Sequence, residues 1–176
     1  MRHLPVLTER AVGSIRAKLE QIGDDFRRPL GAVTCKDKCA ACCHYPLVVT
    51  LAEGRIIASW LEQHGRVTTK LKSSLAEHRD SVQGLAPEVW LLAKVPCPFL
   101  TDSKSCSIYP VRPLGCRLVW SSMPASFCQP EEGHVPFLGD RMRPFVEFVD
   151  FQKTALRGHP LGVAGASISY AVLDAL

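Results

Sequence analysis

The sequence has no long uninterrupted hydrophobic run, and that absence sets aside two classes of protein at the outset. Its first residues, Met1 to Gly13, scatter Arg2, Glu9 and Arg10 among apolar side chains, so nothing there has the apolar core of a secretory signal. The one extended stretch without Asp, Glu, Lys or Arg, Gly158 to Leu173, is too short for a membrane span and is interrupted by Gly162, Gly165, Ser167 and Ser169. It reads as a core or interface helix. Blocks of like charge are also missing: the 21 Lys and Arg residues are spread out, and Arg27-Arg28 is the one tight basic pair. With aromatics at only 7% and no basic stripe interleaved with them, the net charge of +4 gives no support to nucleic-acid binding. No internal repeat or low-complexity tract is visible, which leaves an ordinary globular composition, 47% apolar and 22% charged. Residues 1–176 are expected to fold as one domain. The missing signal points to a cytoplasmic location, where clustered cysteines read as metal-binding or catalytic and not as disulfides.

Cysteine is what the chain has in plenty. Four of the eight fall within nine residues, as Cys35-x3-Cys39-x2-Cys42-Cys43, and three more return in Cys97-Pro-Phe-Leu and Cys106-Ser-Ile-Tyr-Pro-Val-Arg-Pro-Leu-Gly-Cys116-Arg. The Cys39/Cys42 spacing lets one turn bring both sulfurs to one ion, as in many zinc and iron-sulfur loops. The downstream group supplies the thiols that complete a closed site. Candidate ligands are therefore Cys35, Cys39, Cys42, Cys43, Cys97, Cys106 and Cys116. Consecutive side chains diverge in a helix or strand, so Cys42 and Cys43 either serve two centres or one of them only packs. Small-core-residue packing is open to Cys43 and to the outlying Cys128. His44 could replace a cysteine as ligand, although a lone adjacent histidine is usually incidental. Four thiolates around zinc or a [4Fe-4S] cluster leave a net charge of about −2 that needs an offset. Arg112 and Arg117 flank Cys116 and are the candidate cofactor-binding cations, donating N–H groups to sulfur or to nearby carbonyls.

Periodicity predicts helices around these loops. Val12, Ile15, Leu19, Ile22 and Phe26 share one face of a helix that begins near Thr8. Thr50-Leu51-Ala52-Glu53 has the form of a capping box and predicts a helix to about Gln63, burying Ile56, Ile57, Trp60 and Leu61 and ended by Gly65. Leu71, Leu75, His78 and Val82 repeat the pattern, with His78 as a core histidine. From Ala86 to Pro136, eight prolines break the periodicity, so this segment is expected to be loop-rich and tied together by a metal. Phe145, Phe148, Val149 and Leu156 predict a further helix before the apolar C-terminal one. The expected fold class is mainly α: a small helical domain with a cysteine-rich, proline-rich loop region, about residues 35–128, organised around a metal site and flanked by N- and C-terminal helices.

At these residues the chain resembles the YkgJ-type cysteine cluster family, described as zinc- or iron-chelating and related to the flagellin lysine N-methylases. The family pattern CxxCxxCC, CPFL and CSIYxxRPxxCR is similar to Cys35 to Cys43, Cys97 to Leu100 and Cys106 to Arg117. It covers roughly half of the chain. One departure is the first gap, where Lys36, Asp37 and Lys38 stand in place of two residues. The resemblance implies chelation of zinc or iron, including an iron-sulfur centre such as a [4Fe-4S] cluster, and no established reaction. Two functional classes follow. One is a metal-binding module with an accessory role; the alternative is an S-adenosylmethionine-dependent protein lysine N-methylase-like enzyme using an iron-sulfur centre. Against the enzyme, no GxGxxG follows a recognisable strand, and Gly162-Val163-Ala164-Gly165 is a poor substitute. A catalytic thiol is weaker still, because eight cysteines single out no nucleophile with its base. The expected partner is a metal ion or cluster, with a protein partner left open and neither nucleic acid nor membrane expected.

Overall fold

The computed structural model describes residues 7–36, 38–128, 140–156 and 165–176, and it is mainly helical, with seven α-helices and one two-stranded sheet among the described residues. Helix α1 (Glu9–Arg27) starts where the Thr8 hydroxyl accepts a hydrogen bond from the Ala11 N–H at 3.3 Å, and it buries Ile15, Leu19 and Ile22. A short strand β1 (Val48–Thr50) leads into α2 (Leu51–Gln63) through a complete capping box between Thr50 and Glu53. Gly65 closes that helix at φ +61°, the left-handed conformation that glycine adopts without strain. Helix α3 (Thr69–Val82) buries Leu75, His78 and Val82. His78 Nδ1 lies 3.0 Å from the buried Ser169 hydroxyl, and burial lowers its pKa, so it sits in the core as a neutral, hydrogen-bonded imidazole.

The proline-rich segment contains more regular structure than its composition predicts. Pro87 opens helix α4 (Pro87–Ala93), Pro110 opens a 3-10 turn (Tyr109–Val111) and Pro113 is the N-cap of helix α5 (Leu114–Arg117). At the first turn of a helix the N–H that proline lacks has no partner to lose, so these prolines start elements instead of breaking them. Pro130 and Pro136 lie outside the described residues. Helix α6 (Met142–Ala155) presents Phe148, fully buried, to the core that Ile15, Leu19, Ile57 and Leu61 share.

The C-terminal apolar stretch corrects the expectation of one helix from Gly158. Gly165–Ser167 form strand β2, antiparallel to β1 with Val48 opposite Ser167, and only Ile168–Leu173 are helical, as α7. The hydroxyl of Ser167 accepts from the Tyr170 N–H and fixes an extended backbone at the cap, which leaves the preceding residues in strand geometry. Residues 158–164, and with them most of Gly162-Val163-Ala164-Gly165, lie outside the described residues. Helix α7 packs so closely on α2 that a Cβ at Gly54 would collide with the Ala171 carbonyl and come within 2.8 Å of its Cβ. Gly54→Ala is therefore expected to cost about 1–3 kcal/mol by overpacking, while Gly13→Ala, where a Cβ meets nothing within 4 Å, should be neutral or stabilising. Thermal melting of the two variants checks the contrast. No described helix is long and apolar enough to cross a membrane.

Candidate metal centre

Hydrogen bonds between distant parts of the chain bring the cysteine-bearing segments together. Residues 34 and 35 run beside 121–123: the Thr34 N–H donates to Ser121 O at 2.8 Å, its hydroxyl donates to the Ser121 and Met123 carbonyls, and the Ser121 N–H points at Cys35 Sγ at 3.3 Å. The Cys39 N–H then closes a turn on Lys36 O at 3.1 Å, with Lys38 at φ +65°. This turn is how the longer Lys36-to-Lys38 gap is taken up, at a cost of about 1 kcal/mol for a left-handed lysine. Asp37 lies outside the described residues. Cys42 and Cys43 ride on a 3-10 turn (Ala41–His44), and the Cys43 carbonyl accepts the Cys97 N–H at 2.7 Å. Leu100 and Cys106 face each other in an isolated antiparallel bridge, so the CPFL and CSIY blocks form one small loop. Cys116 lies on α5. The Tyr45 hydroxyl donates to the Cys128 carbonyl at 2.8 Å.

All eight cysteines, Cys128 included, line one cavity of about 510 Å³, and no Asp or Glu among the described residues lines it. All eight are free thiols. Among the described residues no three Cys, His, Asp or Glu side chains already converge as a ready ligand set. At six of the eight, Cys35, Cys42, Cys97, Cys106, Cys116 and Cys128, the surroundings favour the protonated thiol. Burial pushes Cys97 up to about 11 and Cys116 well above its ordinary value, with the neighbouring Cys97, Cys42 and Cys106 charges adding to the effect at Cys116. At Cys42 the hydrogen bond with Cys43 is the largest cause of a rise, followed by burial. Burial also leads at Cys35, Cys106 and Cys128. Working the other way, backbone hydrogen bonds reach Cys97 from Phe99 and Leu100, Cys106 from Ile108 and Cys35 from Ser121, and each favours the thiolate.

Of the two candidate cations, Arg112 lines the cavity and Arg117 does not. The Arg112 guanidinium stacks 4.2 Å over Tyr109, its charge favours the thiolates of Cys42, Cys106 and Cys116, and its buried Nε has no hydrogen-bond partner among the described residues. Arg117 instead donates from Nε to Arg112 O at 3.0 Å and from a terminal nitrogen to Pro110 O at 3.2 Å. It thus braces the loop that carries Arg112. His44 is not among the cavity-lining residues, and its Nδ1 lies 3.1 Å from the Ala40 carbonyl.

Glu53 is the residue whose part in the site no local motif revealed. One carboxylate oxygen accepts from the Thr50 N–H at 2.8 Å, as a capping box requires; the other accepts from the Leu114 N–H, also at 2.8 Å, across 61 residues of sequence. Glu53 therefore pins the first turn of α5, two residues from Cys116, to the N-terminus of α2. Burial raises its pKa and outweighs the donors from Leu114 and Thr50. Glu53→Ala would leave two buried N–H groups without acceptors and is expected to cost about 3 kcal/mol. Urea unfolding with an unchanged slope would register that loss.

The donor set suits zinc or iron: among the described residues it offers soft thiols without a competing carboxylate, backbone N–H groups aimed at sulfur, and a buried arginine N–H with no other partner. No curated protein and no solved structure matches the chain. The sequence profile of CxxCxxCC, described as a putative zinc- or iron-chelating domain, matches residues 34–134, which include every cysteine. That match takes in more than half of the chain, and the protein belongs to the CxxCxxCC family.

Proposed function

We propose that the chain is a metal-binding module that chelates zinc or iron, the latter as an ion or an iron-sulfur cluster, through Cys35, Cys39, Cys42, Cys43, Cys97, Cys106 and Cys116. The observation that carries this reading is that two sequence blocks more than fifty residues apart bring their thiols to one cavity, with no carboxylate among its described lining residues. Buried thiols that repel one another when ionised, beside N–H groups that favour ionisation, call for a cation to balance them. A bound metal would supply cross-linking of loops that have little helix or sheet of their own. Arg112 would offset the excess negative charge, and Arg117 would hold Arg112 in place. The whole chain acts as one domain with its metal-binding core at about 35–128, in the reducing cytoplasm where the thiols stay free.

Anaerobic purification followed by metal analysis and a visible spectrum tests this. Brown protein absorbing near about 400 nm identifies a cluster, and colourless protein with stoichiometric zinc identifies the ion. Protein that holds neither metal after reconstitution with each rules the function out.

A further inference from the structure

We propose that the solvent side of the cysteine-lined cavity is a docking surface for another protein, one that presents an acidic segment carrying apolar side chains. This docking is additional to chelation and does not depend on which metal is held.

Among the described residues, five cations line the cavity, Lys36, Lys38, Lys104, Arg112 and Arg141, and no carboxylate does. Composition does not explain the imbalance, because the whole chain sets 17 acidic against 21 basic residues, and an interspersed surface would place about four carboxylates beside five cations. The five differ in what they can do. Arg112 stacks on Tyr109 and has its Nε buried, so its charge acts within the cavity, and Arg141 has interactions of its own. Lys36, Lys38 and Lys104 are exposed, and their ammonium groups make no ion pair or hydrogen bond among the described residues. Water screens such charges, so they do little to offset a buried thiolate centre. What they supply is a positive field at the surface.

The backbone holds two of these lysines in costly conformations. Lys38 and Lys104 have φ +65° and +62°, and they are two of the three non-glycine residues in the left-handed region among the described residues. Lys38 sits in the turn that the Cys39 N–H closes on Lys36 O, and the Lys104 N–H closes another on Thr101 O at 2.9 Å. Glycine or asparagine would take either position with less strain. Lysine at both keeps a cation on two separate loops that border one cavity. Beside them, Val48 and Tyr109 line the same cavity and are 54% and 57% exposed. A docking protein covers such apolar surface, and a free anion such as phosphate does not. Single-stranded nucleic acid fits less well: Tyr109 is the one exposed ring among the described lining residues, and Arg112 already stacks on it at 4.2 Å.

Fluorescence anisotropy of a fluorescein-labelled peptide of alternating glutamate and leucine, titrated with the full chain as purified, reads the docking. Binding is expected, and it should weaken at least about tenfold between about 50 and about 300 mM salt. Lys36→Glu/Lys38→Glu/Lys104→Glu should weaken it by a similar factor, with metal content and circular dichroism unchanged. Arg10→Glu/Lys70→Glu/Lys72→Glu, exposed on α1 and α3, changes the net charge equally and should bind as the wild type does. A second measurement needs no variant: acetylation of wild-type lysines, mapped by mass spectrometry, should show Lys36, Lys38 and Lys104 protected by the peptide, and Lys70 and Lys72 not. No binding of the peptide, equal weakening in both triple variants, or uniform acetylation overturns the docking surface. So does tighter binding of oligothymidylate, or displacement of the peptide by inorganic phosphate at equal negative charge, since either identifies a general anion site. Metal content tests chelation separately and is untouched by any of these outcomes.

Discussion

Cys116→Ser is expected to lose metal and to open the loops between Ala93 and Cys128 to protease, while helical circular dichroism falls only modestly. Cys116 lines the cavity from α5, where burial and three neighbouring thiols hold its own thiol protonated. A serine hydroxyl there is a harder donor with a far higher pKa, so it cannot take the place of a thiolate. Structural zinc in small domains contributes on the order of 10 kcal/mol to folding, and the loops it would tie have little else to hold them. Between Ala93 and Cys128 the helical elements are four residues long at most, too short to persist alone. Helices α1 and α6 differ, because they bury Ile15, Leu19 and Phe148 in a shared core and are joined by Lys18 and Glu147 at 2.7 Å. Helix α4, whose Trp90 is buried, should also stay protected, so new tryptic cuts are expected at Lys94, Lys104 and Arg117, whereas Pro113 shields the bond after Arg112. Unchanged metal content and an unchanged digest would show that Cys116 only packs.

Features encoded within one turn of chain are legible in the residues themselves. Thr8, the Thr50/Glu53 box, Gly65 and the stripe from Val12 to Phe26 each act on residues three or four positions away, and each stands where periodicity and capping chemistry predict it. What the sequence hides depends on partners distant along the chain. Strand β2 is defined by β1, more than a hundred residues earlier, and nothing in its own Gly-Ala-Ser composition announces a strand. The same holds for Glu53, whose second oxygen finds Leu114, and for Arg117, which faces α1 and supports Arg112 without lining the cavity. Proline misleads for a different reason: its meaning reverses between the first turn of a helix and its interior, and periodicity alone does not say which applies. The clustering of Cys35 to Cys43 is plain, but the approach of Cys128 is not, because it is made by the pairing of residues 34–35 with 121–123.

Opposite pH dependences are expected for the metal-free and metal-loaded chains. In the metal-free fold Cys97 is raised from 9.0 to about 11, and Cys42 and Cys116 are raised as well, so the folded chain keeps protons that the unfolded chain gives up above about pH 9. Stability then falls as pH rises, because the native state binds more protons than the unfolded one. The contribution is intact below pH 9 and is lost between 9 and about 11, at roughly 3 kcal/mol for Cys97 alone, since each unit is worth about 1.4 kcal/mol. Metal reverses the sign. A ligand must be a thiolate, so each protonated thiol that binds releases a proton, and a site of four gains up to about 10⁴-fold in apparent affinity per pH unit below the thiol pKa. Tighter binding to the native state raises stability by mass action, so the loaded chain gains stability from about pH 6 toward 9 and loses it on acidification. Thermal melts from about pH 6 to 10.5, run with excess chelator and with excess zinc, should therefore diverge steadily with rising pH. Parallel curves would mean that the buried thiols stay protonated in the presence of metal, and hence that they do not bind it.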